Sequence, residues 1–123
     1  MANKQEKLVL WFDEITRDDV ALVGGKSASL GELTSRTNVP VPYGFATTAY
    51  AYRFFMRQSG LEQKIKELLM QLDDVEDSRK LREVCAAIRQ EILAATMPAE
   101  LAESIAAAYR KLAKKVGEEA PFV

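Results

Sequence analysis

The stretch Val23-Gly24-Gly25-Lys26-Ser27-Ala28-Ser29-Leu30-Gly31-Glu32-Leu33 decides how this chain is read. Two adjacent glycines break a regular element and let the backbone turn tightly or lie close to a ligand. A helix-like pattern follows at once. Ala28, Leu30 and Leu33, with small residues between them, give a modest apolar face over residues 26–36. A helix start offers N–H groups without intrahelical partners and the positive end of the dipole, so it attracts anions. Lys26 is badly placed there for helix stability, because the dipole repels a cation. A phosphate lying between the ammonium and the amides removes that conflict. The plainer alternative, a glycine-rich turn with a solvated lysine, stands beside it. Gly25-Lys26-Ser27 fits the tail of a Walker A loop, but Val20 occupies the place of that loop's first glycine and the strand before it is misplaced. Gly24, Gly25 and Gly31 also lack the spacing of the dinucleotide fingerprint.

Upstream, Leu8-Val9-Leu10-Trp11-Phe12 is short, apolar and β-rich, which predicts a buried strand; residues 16–20 read as a helical turn or loop. Downstream, Pro40, Pro42 and Gly44 predict an extended loop over residues 38–44. A very short strand at Phe45-Ala46 follows, with Thr47 or Thr48 as the N-cap of the next helix. Four helical segments fill the rest. Residues 49–58 carry Tyr50, Phe54 and Phe55 at helical spacing, and residues 61–72 place Leu61, Ile65, Leu68, Leu69 and Leu72 on one face. Residues 79–95, capped by Asp77 or Ser78, do the same with Leu81, Val84, Cys85, Ile88 and Ile92. Pro98 opens a last helix to about Lys115, with Leu101, Ile105, Ala108, Tyr109 and Leu112 inward and Gly117 as its stop. Pro121-Phe122-Val123 reads as the start of a strand. The expected fold is α+β and mostly helical, with two or three short strands and about five helices. Residues 8–60 hold the strand and the Gly-Gly-Lys helix. Residues 61–116 form a semi-independent helical bundle, because their apolar faces are complete without the strands.

Composition narrows the functions. A chain of 123 residues with 48% apolar and 28% charged side chains is one globular domain's worth, not a disordered segment. Seventeen basic against 18 acidic residues leave a net charge of −1, which argues against a general grip on nucleic acid. No apolar run approaches the roughly 18 residues of a membrane span, and no secretory leader opens the chain, so the cytoplasm is expected. Cys85 has no disulfide partner and lies among apolar residues, which predicts a buried small hydrophobe instead of a reactive thiol. The absence of histidine removes Ser-His-Asp and Cys-His pairs, imidazole zinc sites and a phosphohistidine relay. Asp73-Asp74-Val75-Glu76-Asp77 lacks the spacing and glycine of a calcium loop and reads as a solvated turn. Tyr50, Tyr52, Phe54 and Phe55 read as core, not as a stacking platform for a base. Lys111, Lys114 and Lys115 could meet an anionic partner, but cations at the negative end of a helix are common.

Taken in order, Leu10-Trp11-Phe12, the Gly-Gly-Lys helix and Val39-Pro40-Val41-Pro42-Tyr43-Gly44-Phe45-Ala46-Thr47-Thr48 resemble the N-terminal end of one enzyme family. It is the phosphoenolpyruvate synthase and pyruvate phosphate dikinase family, which also includes rifampicin phosphotransferase. Trp11 and the Ala46-Thr47-Thr48-Ala49 run lean towards the synthase; over residues 61–115 the resemblance is a loose pattern. It implies the first part of an ATP-grasp-like nucleotide-binding domain in a large cytoplasmic enzyme. The family's motif lysine, which contacts ATP phosphates, falls on Lys26, with Gly24, Gly25 and Ser27 as the backbone frame of the turn. In the family a swivelling domain carries a phosphate-accepting histidine and a C-terminal barrel binds pyruvate. ATP, pyruvate and water yield AMP, phosphate and phosphoenolpyruvate, with magnesium required. The family's Arg-Ser-Ser motif, metal ligands and phosphohistidine all fall beyond Val123. The resemblance therefore implies an ATP-binding piece that is truncated, without catalytic residues or metal ligands of its own, and inactive alone. The alternatives are a pyruvate phosphate dikinase, which consumes phosphate and releases pyrophosphate, a rifampicin-phosphotransferase-like enzyme, or a non-catalytic helical interaction module.

Overall fold

The computed structural model describes residues 3–73, 76–117 and 121. Among them are two strands, β1 (Val9–Trp11) and β2 (Phe45–Thr47), and five helices: α1 (Val20–Arg36), α2 (Ala49–Gln58), α3 (Leu61–Met70), α4 (Ser78–Ala94) and α5 (Ala99–Val116). Short 3-10 turns occupy Lys4–Glu6, Phe12–Glu14 and Arg17–Asp19. This is the α+β, mostly helical architecture that the apolar patterning predicts.

The chain divides into two compact units, one of Met1–Arg53 with Ala99–Val123 and the other of Phe54–Pro98. In the first, β1 and β2 pair antiparallel with Val9 opposite Thr47, Leu10 opposite Ala46 and Trp11 opposite Phe45. The pairing is extended by the Phe12 amide donating to the Gly44 carbonyl at 3.0 Å and the Thr48 amide donating to the Leu8 carbonyl at 3.2 Å. Leu10 and Ile15 are fully buried, and each such side chain contributes roughly 2–3 kcal/mol of hydrophobic stabilisation. The strand is shorter than residues 8–12 because Phe12 already begins a turn, held by the Glu14 carboxylate accepting from the Trp11 amide at 3.0 Å.

Of the two threonines open as caps, Thr48 does the work. Its hydroxyl accepts from the Ala51 amide at 3.0 Å and donates to the Lys7 carbonyl at 2.6 Å, so one buried side chain starts α2 and ties it to the residues before β1. In α2 the aromatic residues are not uniformly core: Tyr50, Phe54 and Phe55 are half-buried, but Tyr52 is exposed. Tyr52 lies two positions from Tyr50 and Phe54, which turns it to another side of the helix.

Helix α5, which the sequence grouped with the later helices, clusters with the strand-bearing unit. Its residues Leu101, Ala108 and Leu112 are buried and Ile105 and Tyr109 half-buried, which is the face expected from their spacing. The Tyr109 hydroxyl donates to the Pro121 carbonyl at 2.8 Å. The rest of the anticipated terminal strand, Phe122 and Val123, lies outside the described residues.

In the second unit α3 packs on α4. Leu61 and Val84 are buried, while Ile65, Leu68, Leu72 and Ile88 are half-buried. Three residues assigned inward by spacing are exposed: Leu69 at 48%, Leu81 at 37% and Ile92 at 38%. Cys85 is half-buried, not the fully buried hydrophobe its neighbours suggested. The reason is geometric. Two helices meeting along one seam cover a stripe narrower than the apolar faces their sequences carry. Asp77, not Ser78, caps α4, accepting from the Lys80 amide at 3.2 Å.

Candidate functional site

The glycine pair sits inside α1 rather than before it. Helical geometry begins at Val20, is interrupted at Gly24 (φ 84°, ψ 167°) and resumes at Gly25, so the helix expected from Lys26 is the second segment of a broken one. That backbone conformation is essentially open to glycine alone. The segment restarted at Gly25 begins with amides that have no partner within it.

What holds this break in place is the stretch before it. The Asp19 carboxylate is buried and accepts from the Lys4 ammonium at 2.5 Å and from the Thr16 amide at 2.9 Å. Burial raises the Asp19 pKa. The Lys4 hydrogen bond, the Thr16 amide and the charges of Lys4 and Arg36 outweigh that effect and leave it below the ordinary aspartate value. Further along, the Arg17 amide donates to Glu32 at 3.0 Å and the Ser35 hydroxyl to the Ile15 carbonyl at 2.8 Å. These bonds lash α1 to residues 12–19. Gly31 makes the close approach possible: a Cβ there would lie 2.4 Å from the Ile15 side chain and 2.7 Å from its carbonyl. The Thr16–Asp19 pairing was not anticipated, although Thr-Arg-Asp-Asp has the form of a capping box and could have signalled it.

On this frame Gly24, Gly25 and Lys26 are exposed and Ser27 is half-buried. A Cβ at Gly25 would meet nothing within 4 Å, and Gly25 has no positive φ, so neither packing nor backbone strain within the described residues demands a glycine there. Lys26 forms no ion pair among the described residues. Val23 and Ser27 line one wall of a cavity of about 640 Å³, whose other walls include Phe45, Thr47, Ile105 and Tyr109. Exposed amides at a helix restart, an ammonium, a hydroxyl and clear space above Gly25 suit an anionic ligand. A magnesium site is another matter. Among the described residues no three His, Cys, Asp or Glu side chains converge as metal ligands, so this chain's described residues do not fit that ion. The acidic turn contributes the helix cap Asp77, and its Asp74 and Val75 lie outside the described residues.

A second cluster went unread in the sequence. Lys111 and Lys115, which the sequence places at the helix end, hold their ammonium groups 5.4 and 5.6 Å from the Trp11 ring centre, and Lys115 also lies 4.8 Å from that of Tyr43. Their i, i+4 spacing was visible, but the ring they converge on is a hundred or more positions away in the chain.

Comparisons with known proteins give the family. The chain belongs to the family of the pyruvate phosphate dikinase AMP/ATP-binding domain, whose model matches residues 20–123. It is 51% identical over 116 residues to a probable phosphoenolpyruvate synthase of Staphylothermus marinus, a match covering 94% of this chain and 14% of that protein. It is 47% identical over 122 residues to the phosphoenolpyruvate synthase of Synechocystis, covering 97% of this chain and 15% of the relative. With the enzyme of Neisseria meningitidis serogroup B it shares 44% over 115 residues, covering 91% and 14%. The chain thus spans about one-seventh of the length of these relatives. Among the described residues no helix is long and apolar enough to cross a membrane.

Proposed function

We propose that this chain forms the start of the ATP-binding domain of a phosphoenolpyruvate synthase, with Lys26 at the ATP phosphates and Gly24, Gly25 and Ser27 framing the turn. The observation that carries the reading is Gly25. It is a glycine with open space where a side chain would stand, directly before an exposed lysine at a helix restart. The relatives are named as phosphoenolpyruvate synthases, and the reaction proposed is that of ATP, pyruvate and water to AMP, phosphate and phosphoenolpyruvate. In this reading the N–H groups at the restart and the Ser27 hydroxyl orient phosphate oxygens. Lys26 acts as a fixed positive charge that positions the phosphates and stabilises charge gathering on the leaving group. The phosphate-accepting histidine, the pyruvate site and the magnesium ligands belong to other parts of a longer cytoplasmic enzyme. The chain has no histidine of its own, so it takes no phosphohistidine step. Residues 1–123 make up the truncated first part of an ATP-grasp-like domain and are inactive alone.

The test uses a protein of the relatives' full length that carries this segment. It is incubated with magnesium, ATP and pyruvate, with and without inorganic phosphate. AMP, phosphate and phosphoenolpyruvate formed without added phosphate support the synthase. Pyrophosphate formed only with added phosphate gives the dikinase, which the matched family model keeps as the second reading. Lys26→Ala is expected to lower ATP use by about tenfold or more, the loss of one charge-assisted contact. Unchanged turnover in that variant sinks the role given to Lys26.

A further inference from the structure

The cluster around Trp11 has an electrostatic conflict built into it. Lys111 and Lys115 bring two ammonium groups to the same indole, at 5.4 and 5.6 Å from its centre. Neither forms an ion pair among the described residues. A cation over an aromatic face is favourable, but two on one ring repel each other, and an anion between them removes the repulsion. Both lysines line a cavity of about 350 Å³ together with Trp11, Phe12, Tyr43 and Gly44. That volume suits a small molecule. Tyr43 offers a flat wall, 62% exposed, with Lys115 4.8 Å from its ring centre.

Two carboxylates also line the space. Glu14 is already committed, accepting from Lys7 at 2.9 Å and from the Trp11 amide at 3.0 Å. Asp13 forms no ion pair among the described residues, so it leaves both ammonium groups without a partner. The cavity contains none of residues 23–27, although Phe12, Tyr43 and Gly44 also line the cavity beside the glycine turn, so a Lys26 variant is what tells the two sites apart.

The geometry points to a second anion site at Trp11, Tyr43, Lys111 and Lys115, separate from the glycine turn, that takes a small phosphate monoester carrying a planar ring. The phosphate bridges the two ammonium groups, and the ring lies on Tyr43. Aromatic stacking and charge pairing act together, so either half of the ligand alone binds more weakly.

Trp11 is the only tryptophan in the chain, so its fluorescence reports on the surroundings of this ring. The 123-residue chain is titrated with phenyl phosphate. Saturable quenching with a Kd of about 1 mM or below is expected. The Lys111→Gln/Lys115→Gln double variant raises that Kd by about tenfold, Tyr43→Leu by about threefold, and Lys26→Ala leaves it unchanged. If circular dichroism shows the double variant unfolded, Lys115→Gln alone serves, with about a threefold rise. Inorganic phosphate and phenol are the controls, and both bind more weakly than phenyl phosphate. No saturation, or an unchanged Kd in the folded lysine variants, overturns the site. Phosphate binding as tightly as phenyl phosphate removes the ring from the recognition, and phenol binding as tightly removes the anion; either result overturns the proposal. Loss of quenching in Lys26→Ala assigns the ligand to the glycine turn instead and overturns it too.

Discussion

Gly25 and Gly31 lie on the same helix, yet their missing side chains answer different demands. Around Gly31 the helix presses against Ile15, and a single methyl group would overlap both its side chain and its carbonyl. Around Gly25 a methyl group would stand in open space. The first glycine is required by the fold, and the second has no explanation inside the described residues. A residue type alone does not separate these two demands. Only its surroundings do.

The contrast can be broken by experiment, and the largest effect belongs to Gly31. Gly31→Ala is expected to cost about 3 kcal/mol of stability, because the overlap is with backbone as well as side chain. Urea melts measure it; a loss below about 1 kcal/mol would mean that α1 shifts to make room. Gly24→Ala comes next, at about 2 kcal/mol, since an L-residue is strained at φ 84°, ψ 167°. Its cost is backbone strain, not overlap, and asparagine tolerates positive φ only in the left-handed helical region, so Gly24→Asn is expected to lose about as much as Gly24→Ala in the same melts.

Smaller effects sharpen the other half. Lys26→Ala is expected to change stability by no more than about 0.5 kcal/mol while weakening ATP binding in the full-length protein by about tenfold. Calorimetric titration with ATP reads the second quantity. Gly25→Ala is expected to raise stability by up to about 1 kcal/mol, as alanine favours helix over glycine, and still to weaken ATP binding by crowding the phosphates. Destabilisation of Gly25→Ala as large as that of Gly31→Ala would erase the distinction between the two glycines.

The smallest effect concerns the support of the turn. The folded Asp19 carboxyl titrates below its unfolded value of 3.8. In the acid range the unfolded state therefore binds more protons, and stability rises with pH. The Asp19 contribution is present above about pH 4 and is lost as pH falls through the lowered folded value. Glu14 behaves likewise: burial raises its pKa, but Lys7 and the Trp11 amide outweigh that and lower it. Asp19→Asn should flatten the dependence of stability on pH in this window. An unchanged acid melt would show that the Lys4 pairing does not contribute.

Much of the fold was legible before any coordinates. Leu10 alternates with half-buried neighbours as a short strand should, and Leu101, Ala108 and Leu112 lie inward on α5 as their spacing requires. The turn with Gly24, Gly25, Lys26 and Ser27 stood out because glycine and lysine at a helix start conflict with helix propensity, and local rules expose such conflicts. Less legible were Leu69, Leu81 and Ile92, whose exposure depends on the width of a seam between helices. The Lys4–Asp19 pair and the lysines over Trp11 were not legible at all, because they join positions far apart in the chain.

The sequence by itself determined the elements, the glycine break and the family resemblance, because periodicity, turn chemistry and motif order are local properties of the chain. The tertiary structure alone decided that α5 clusters with the strands, that Gly31 is a packing glycine while Gly25 is not, and that two distant lysines share one indole. Each of these depends on which surfaces meet, and contact between distant residues follows from packing in three dimensions, which no local pattern encodes.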